Sequence, residues 1–335
     1  MFKKILNPTL YHGEKKRKNF FEGWYYKITD KDNKNSFAFI PGIIKGKIKE
    51  EGHSFIQILD GSEHKTYYLS FPKDAFKFNH NPFMININNN YFSLNEIKLG
   101  HIEENIQIVG SLVIVDMVNW PDSIINPGSM GFYNYLLFME CYSHVCCLNG
   151  NIVGKLLINN REIDFTGGKV YIEKNWGKRF PETYLWIQAN NFLNKDVALT
   201  ISFGKVPLWK YHFNGFLTAF QLNDKVYKFT TINRSKVDLN VSNDKITIVF
   251  EKDDLVLTVE ANYDKSKFLI IKGPVDGKMD RDVKESITSE VKVELIDNFK
   301  GRLLFQGVSE CSGLEFMWNI MSLVRKKRGC KKIVF

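Results

Sequence analysis

Apolar and polar residues alternate over most of the chain, the period-two pattern of strands that turn one face to a core. Ile246, Ile248 and Phe250 alternate in this way, and Leu255, Leu257 and Val259 repeat the pattern after the charged turn Lys252-Asp253-Asp254, so residues 245–263 predict an antiparallel hairpin. Asn149-Gly150-Asn151 and Asn159-Asn160 supply residues that tolerate the left-handed positions of tight turns. They divide the next stretch into strands over 142–148, 152–158 and 162–165, a meander. One segment has a helical period instead. Leu314, Met317, Trp318, Met321 and Val324 fall on one face, and Ser312 with Glu315 forms a capping box at its start.

The pattern also repeats at long range. "EGWYYKITDKDNKNSFAFIPG" (22–42) and "YLWIQANNFLNKDVALTISFG" (184–204) each run from a Trp-containing strand through an Asn/Asp/Lys turn to a second strand ending at Gly42 or Gly204. A chain of 335 residues exceeds the usual size of one core. The expectation is an all-β protein of two antiparallel domains, 1–178 and 179–335, closed or nearly closed barrels or sandwiches that hide their sheet edges, the second ending in a short helix and a basic tail.

Composition narrows the function classes. With 44% apolar residues and a mean hydropathy of -0.24 the chain can bury a large core and reads as soluble. Asn7-Pro8 follows the first lysines where a signal peptide would have its apolar run, and no stretch of about 18 apolar residues occurs, so a cytoplasmic protein is expected. The five cysteines lack the paired spacings of a disulfide framework or zinc site, and the seven histidines lack helical metal-site spacing, so no metal is expected. The net charge of +9 comes mostly from lysine in a sequence crowded with Asn and Ile, so a nucleic-acid partner is not expected. Basic residues concentrate at 15–18 and in the tail Arg325–Arg328 with Lys331-Lys332, and the tail suits peripheral contact with an anionic membrane. Phosphate loops, nucleophile elbows and dinucleotide fingerprints are absent from the sequence.

Candidate chemistry lies in three clusters where carboxylates and amides are interleaved with large aromatics. In "VYIEKNWGKRFPETYLWIQANNF" (170–192), Glu173 and Asn175 would share one strand face, and Trp186, Gln188 and Asn190 another, with Trp176 and Phe192 nearby. Glu22-Gly23-Trp24-Tyr25-Tyr26 is the second cluster. The third has Glu140, Tyr142 and His144 in alternation. Polar groups in such settings must be paired or must serve a purpose.

At these clusters the sequence resembles the tocopherol cyclase family, through "FFEGWYYKI" (20–28), "NPGSMGFYNYLLFMECYSHVCCLNGNIVGKL" (126–156) and "DFTGGKVYIEKNWGKRFPETYLWIQANNF" (164–192). The resemblance covers most of residues 20–205 and is looser beyond, where "GPVDGKMDRDVKESITSEVKVEL" (273–295) is a weaker echo. It implies two lipocalin-like β-barrels, a fold shared with carotenoid 1,2-hydratases. It also implies a hydrophobic ligand and a reaction without a cofactor, in which a prenylated hydroquinone closes to a chromanol. An acid protonates the alkene, aromatic faces shelter the tertiary cation and the phenol oxygen attacks it. On this resemblance Glu173 or Glu140 is the expected acid, and His144, Asn175, Gln188 or Asn190 would hold the phenol. Trp24, Tyr25, Trp176 and Trp186 would line the cavity, with Glu22, Tyr142 and Phe192 as further substrate contacts. Two positions depart from the family pattern: Cys146-Cys147 stands where Val-Ser is more frequent, and Asn175 where Asp is common. Two other functions fit the same resemblance, a lipid carrier without turnover and a polyene hydratase or isomerase.

Overall fold

The structure is a computed structural model, and it describes residues 2–48, 51–103, 105–194, 196–208, 211–242, 244–317, 320, 326–327 and 330–331. The chain is all-β, as its alternation predicts, and forms two compact units, each with its own sheet and core. The first unit takes residues 1–180 and 270–282, and the second takes 181–269 and 283–335.

The sheet of the first unit is built from β1 (Phe20–Thr29), β2 (Ser36–Lys45), β3 (His53–Asp60), β4 (Lys65–Pro72), β5 (Phe76–His80), β6 (Phe83–Ile87), β7 (Asn90–Ser93), β8 (Glu96–Glu103), β9 (Ile106–Val118), β10 (Cys141–Ile158), β11 (Arg161–Asp164) and β12 (Lys169–Gly177). Its strand order is 4-3-2-1-12-10-9-8-7-6-5, with β11 paired to β10. The two ends, β4 and β5, are consecutive in the chain and joined by the short turn Lys73–Ala75, so the sheet curls into a nearly closed barrel around one core. Trp24, Tyr26, Phe37, Phe39 and Phe92 fill that core without exposure to solvent beyond a few percent.

The second sheet is built from β13 (Tyr184–Ala189), β14 (Val197–Leu208), β15 (Tyr211–Leu222), β16 (Lys225–Thr230), β17 (Lys236–Val241), β18 (Lys245–Lys252), β19 (Leu255–Asn262), β20 (Leu269–Val275), β21 (Lys278–Asp297) and β22 (Arg302–Phe316), of which residues 270–282 group with the first unit. Its order is 16-15-14-13-22-21-19-18-17, with β20 paired to β21. Each sheet thus runs from a four-strand meander, read backwards, to the last strand of its own set, then onward to the strands between. The two hairpins matched in the sequence, β1–β2 and β13–β14, occupy the same place in this order, so the duplication is one of topology. The hairpin expected over 245–263 is β18 and β19.

Two local expectations are corrected. Asn149-Gly150-Asn151 does not turn the chain; it lies inside the 18-residue strand β10, where register shifts occur between Val145 and Cys147, between Cys147 and Gly150 and between Asn149 and Asn151. These bulges bend one strand so that its first half pairs β12 and its second half pairs β9. Asn159 and Asn160 do form a tight turn, at positive φ. The capping box is the second correction: Ser312, Leu314 and Glu315 belong to β22, where pairing with Ser289, Ser286 and Glu285 of β21 overrides the local helical signal. Trp318, Met321 and Val324 of the helical stripe lie outside the described residues, as do Arg325, Arg328 and Lys332 of the basic tail. Among the described residues no helix is long and apolar enough to cross a membrane.

Candidate functional site

Strands β1, β12 and β10 lie side by side, and their register sorts the candidate residues onto two faces. Glu22 lies opposite Trp176, and Trp24 opposite Lys174; on the other side of β12, Tyr142 lies opposite Trp176, and His144 opposite Lys174. Residues directly opposite share a face, so all six point toward the first core.

At the centre of this face Lys174 Nζ stands 2.6 Å from Glu22 Oε1, with both side chains fully buried. The carboxylate also accepts the backbone N–H groups of His12 and Gly13 at 2.8 Å each. Lys174 donates to the carbonyl oxygens of Pro8 and Leu10 at 2.7 and 2.5 Å and lies 2.8 Å from His12 Nδ1. Its ammonium sits over the rings of Trp24 and Trp176, 4.9 and 4.5 Å from their centroids. The imidazole of His12 stacks on Trp176, which stacks on Tyr142. The N-terminal segment is thus tied to the barrel by main-chain groups that would otherwise be unpaired.

Burial pushes Lys174 down to about 8 against the attraction of Glu22. Burial works to raise Glu22, but the Lys174 charge and the hydrogen bonds from His12 and Lys174 outweigh it and hold the carboxyl below its ordinary value. Both effects leave the pair ionised at neutral pH. Burial, then the Lys174 charge, lowers His12, so its neutral ring accepts at Nδ1 and donates from Nε2 to the Lys4 carbonyl at 3.2 Å. His144 is pushed down to about 3 by burial, then by Lys174 and His12, and its Nδ1 accepts the Ser129 N–H at 3.3 Å.

The His144 shift has a consequence for stability. In the unfolded chain this ring gains its proton near 6.5, in the fold only near 3, so the unfolded state binds more protons in between. Its contribution is fully present above pH 6.5 and falls by about 1.4 kcal/mol per pH unit as the pH drops through that window. His144→Asn, whose side-chain oxygen can still accept from Ser129, is expected to flatten the acid limb of a urea-unfolding series by about that slope. An unchanged limb would contradict this role.

The opposite face of the same strands carries a second constellation. Tyr25 lies opposite Glu173, Gly23 and Ser143 flank Asn175, and Val145 lies opposite Glu173 on the β10 side. Glu173 is buried and accepts hydrogen bonds from the Tyr171 hydroxyl at 2.6 Å, the Ser143 hydroxyl at 2.8 Å and the Asn175 amide at 3.2 Å. Tyr171, two residues before Glu173, is itself fully buried.

In the second unit, Trp186 and Gln188 point away from the core that Leu185, Ile187 and Ala189 enter. Gln188 lies between Thr200 and Gly313. Its side-chain amide is fully buried, and both polar atoms lack a hydrogen-bond partner among the described residues. Gly313 is required here, because a Cβ would stand 2.5 Å from the Trp186 ring. Asn190 is buried just beyond the end of β13, and Phe192 packs into the second core, edge-on to Phe305.

A family model described as tocopherol cyclase-like matches residues 76–316. The chain belongs to this family. Within the tocopherol cyclase-like group, it is 30% identical over 96 residues to the "Probable tocopherol cyclase, chloroplastic" of Oryza sativa subsp. japonica, a match covering 28% of this chain and 20% of that protein. It is 33% identical over 69 residues to the "Tocopherol cyclase, chloroplastic" of Zea mays, covering 20% of this chain and 15% of that protein. The matches therefore span a fifth or less of these curated relatives. The fold is shared far more widely: the crystal structure of CghA with Sch210972 superposes with a TM-score of 0.55 at 11% identity, over 89% of this chain and 88% of that one.

The tocopherol cyclase-like chain thus distributes its sequence-predicted residues over three places. Glu22, Trp24, Tyr142, His144 and Trp176 meet on the inner face of the first barrel. Glu173, Asn175 and Tyr25 meet on its outer face. Trp186 and Gln188 share a face in the second unit. Glu140 precedes β10, which begins at Cys141, and is partly exposed, so the strand face shared by Tyr142 and His144 does not extend to it. Sequence reading missed Lys174, His12, Tyr171 and Ser143. Strand alternation already separates Lys174 and Trp176 from Tyr171, Glu173 and Asn175, and would have found the lysine.

Proposed function

We propose that the chain closes a prenylated hydroquinone, or a related isoprenoid lipid, by protonating its alkene, with Glu173 as the proton-transfer group. The observation that carries this reading is the Glu173 carboxyl, buried and held by the hydroxyls of Tyr171 and Ser143 and the amide of Asn175. Glu22, the other fully buried carboxylate of these strands, is held ionised by Lys174 and does not suit an acid.

The proton balance of such a closure closes on itself. One proton goes to the alkene carbon, the phenol oxygen bonds to the tertiary carbon that results, and the phenol proton leaves. A single carboxyl with a hydroxyl relay can deliver the first and collect the second, so it ends as it began and nothing is oxidised or reduced. Tyr171 suits the relay because its hydroxyl, 2.6 Å from Glu173, can donate to the carboxylate and accept from the carboxyl once it is protonated. The Tyr25 ring, on the same face, would offer its quadrupole to the cation. Asn175 acts here as a positioning residue, fixing one carboxyl oxygen.

Asn175→Asp tests that role. It would set a second carboxyl about 3 Å from Glu173, and two carboxyls so close share a proton, which strengthens the acid function. Turnover is expected to rise about threefold to tenfold, with the acid limb of the pH–rate profile displaced. An unchanged profile would remove Asn175 from the mechanism. The neutral Asn175 partner also favours a second reading, a lipid carrier without turnover. Incubating the full chain with a geranylated hydroquinone separates the two: a product of unchanged mass and new retention time supports cyclisation, and unaltered lipid supports the carrier. A product heavier by one water would make the chain a hydratase.

A further inference from the structure

Between β9 and β10 the chain makes a long excursion, residues 119–140, whose tip is apolar on the outside. Ile124, Ile125, Phe132, Leu137 and Phe138 are between 41% and 77% exposed. Single exposed apolar residues are ordinary, but five on one loop are not. The loop's conformation is specified from within. Tyr135 donates its hydroxyl proton to the Ile124 carbonyl, Tyr142 to the Leu136 carbonyl, Asn134 to the Pro127 carbonyl at 2.6 Å, and the Gly128 N–H to Asp122 at 2.8 Å. The apolar side chains are thus presented outward by a scaffold that satisfies its own polar groups.

The N-terminal segment brings positive charge to the same end. Phe2, itself 64% exposed, lies against the Tyr135 ring, and Lys4 pairs with Glu14, which begins the exposed basic run Lys15, Lys16, Arg17 and Lys18. The two segments together carry six cations, Lys3, Lys4, Lys15, Lys16, Arg17 and Lys18, against three carboxylates, Glu14, Asp122 and Glu140, so positive charge is in excess. An apolar tip flanked by unbalanced cations is the pattern of a surface that inserts at an anionic lipid interface.

We propose that loop 119–140, with the basic segment 15–18 at the same end of the sheet, docks the protein on an anionic bilayer. The middle of the loop reaches the candidate site: the Met130 sulfur accepts the Ser143 N–H at 3.1 Å, and Ser143 donates to Glu173. A lipid leaving the bilayer would meet the protein beside that carboxyl. The docking itself does not depend on Glu173 chemistry, because the test reads no turnover.

Co-sedimentation of the full chain with vesicles of phosphatidylcholine and phosphatidylserine provides that test. The parent protein is expected to bind, and Ile124→Ser/Ile125→Ser/Leu137→Ser/Phe138→Ser to bind about tenfold more weakly or less, with an unaltered melting transition since these side chains are exposed. Lys15→Glu/Lys16→Glu/Lys18→Glu is expected to lose the preference for phosphatidylserine over pure phosphatidylcholine. The proposal is overturned if the parent fails to bind, or if the four-serine variant binds like the parent, which would put docking elsewhere, such as on the C-terminal tail. It is also overturned if the parent sediments as a dimer that this variant dissociates, because a second copy would then cover the loop.

Discussion

Glu173→Gln is expected to lower turnover of a prenylated hydroquinone by about two to four orders of magnitude, the range for losing a positioned proton-transfer group. The amide keeps the size of the side chain and one oxygen that can accept from Tyr171 or Ser143, so the fold should lose only about 1 kcal/mol. Ligand affinity should change little, because the removed interaction belongs to the transition state. Tyr171→Phe should fall between parent and Glu173→Gln, since it removes the relay hydroxyl and leaves the carboxyl. If Glu173→Gln turns over within about threefold of the parent, the carboxyl is architectural and the proton comes from elsewhere. Loss of folding with no separable effect on turnover would point the same way.

The second large effect concerns stability. Glu22→Gln leaves the Lys174 ammonium fully buried without its counter-charge, and breaking such a pair costs about 3–5 kcal/mol. Lys174→Met should cost a similar amount, because it strands the Glu22 carboxylate and the carbonyls of Pro8 and Leu10. The double variant should lie close to the singles rather than at their sum, a coupling of roughly 2 kcal/mol or more. It will not return to parental stability, since the amide keeps only one oxygen for the backbone N–H groups of His12 and Gly13, and the carbonyls of Pro8 and Leu10 lose their donor. Denaturant unfolding of all four proteins measures the cycle. Additive costs would mean that the two charges act separately, in conflict with their 2.6 Å contact.

The alternation of apolar residues was enough to read the all-β class, the hairpin at 245–263 and the repeat of the β1–β2 and β13–β14 hairpins, because a half-buried strand must alternate to keep one face apolar. It misjudged the places where pairing partners outside the local window decide. Asn149-Gly150-Asn151 has turn chemistry, yet β9 and β12 hold β10 extended through it. Ser312 and Glu315 have a helical capping spacing, yet β21 pairs them. The site was legible in the same partial way. Spacing put Glu173 with Asn175 and Tyr142 with His144 correctly, since each pair lies on one strand. Spacing could not show that Glu22 and Lys174, 152 positions apart, form an ion pair. That contact depends on the antiparallel register of β1 against β12, which no local pattern fixes.

The most direct test of the central claim is to run the reaction in D2O with a geranylated hydroquinone and locate the label in the product. A proton delivered to the alkene from Glu173, which exchanges with solvent, places one deuterium on the carbon next to the newly formed C–O centre, and Glu173→Gln suppresses that incorporation together with turnover. A cyclised product without carbon-bound deuterium, or equal incorporation by the variant, would contradict alkene protonation through this carboxyl.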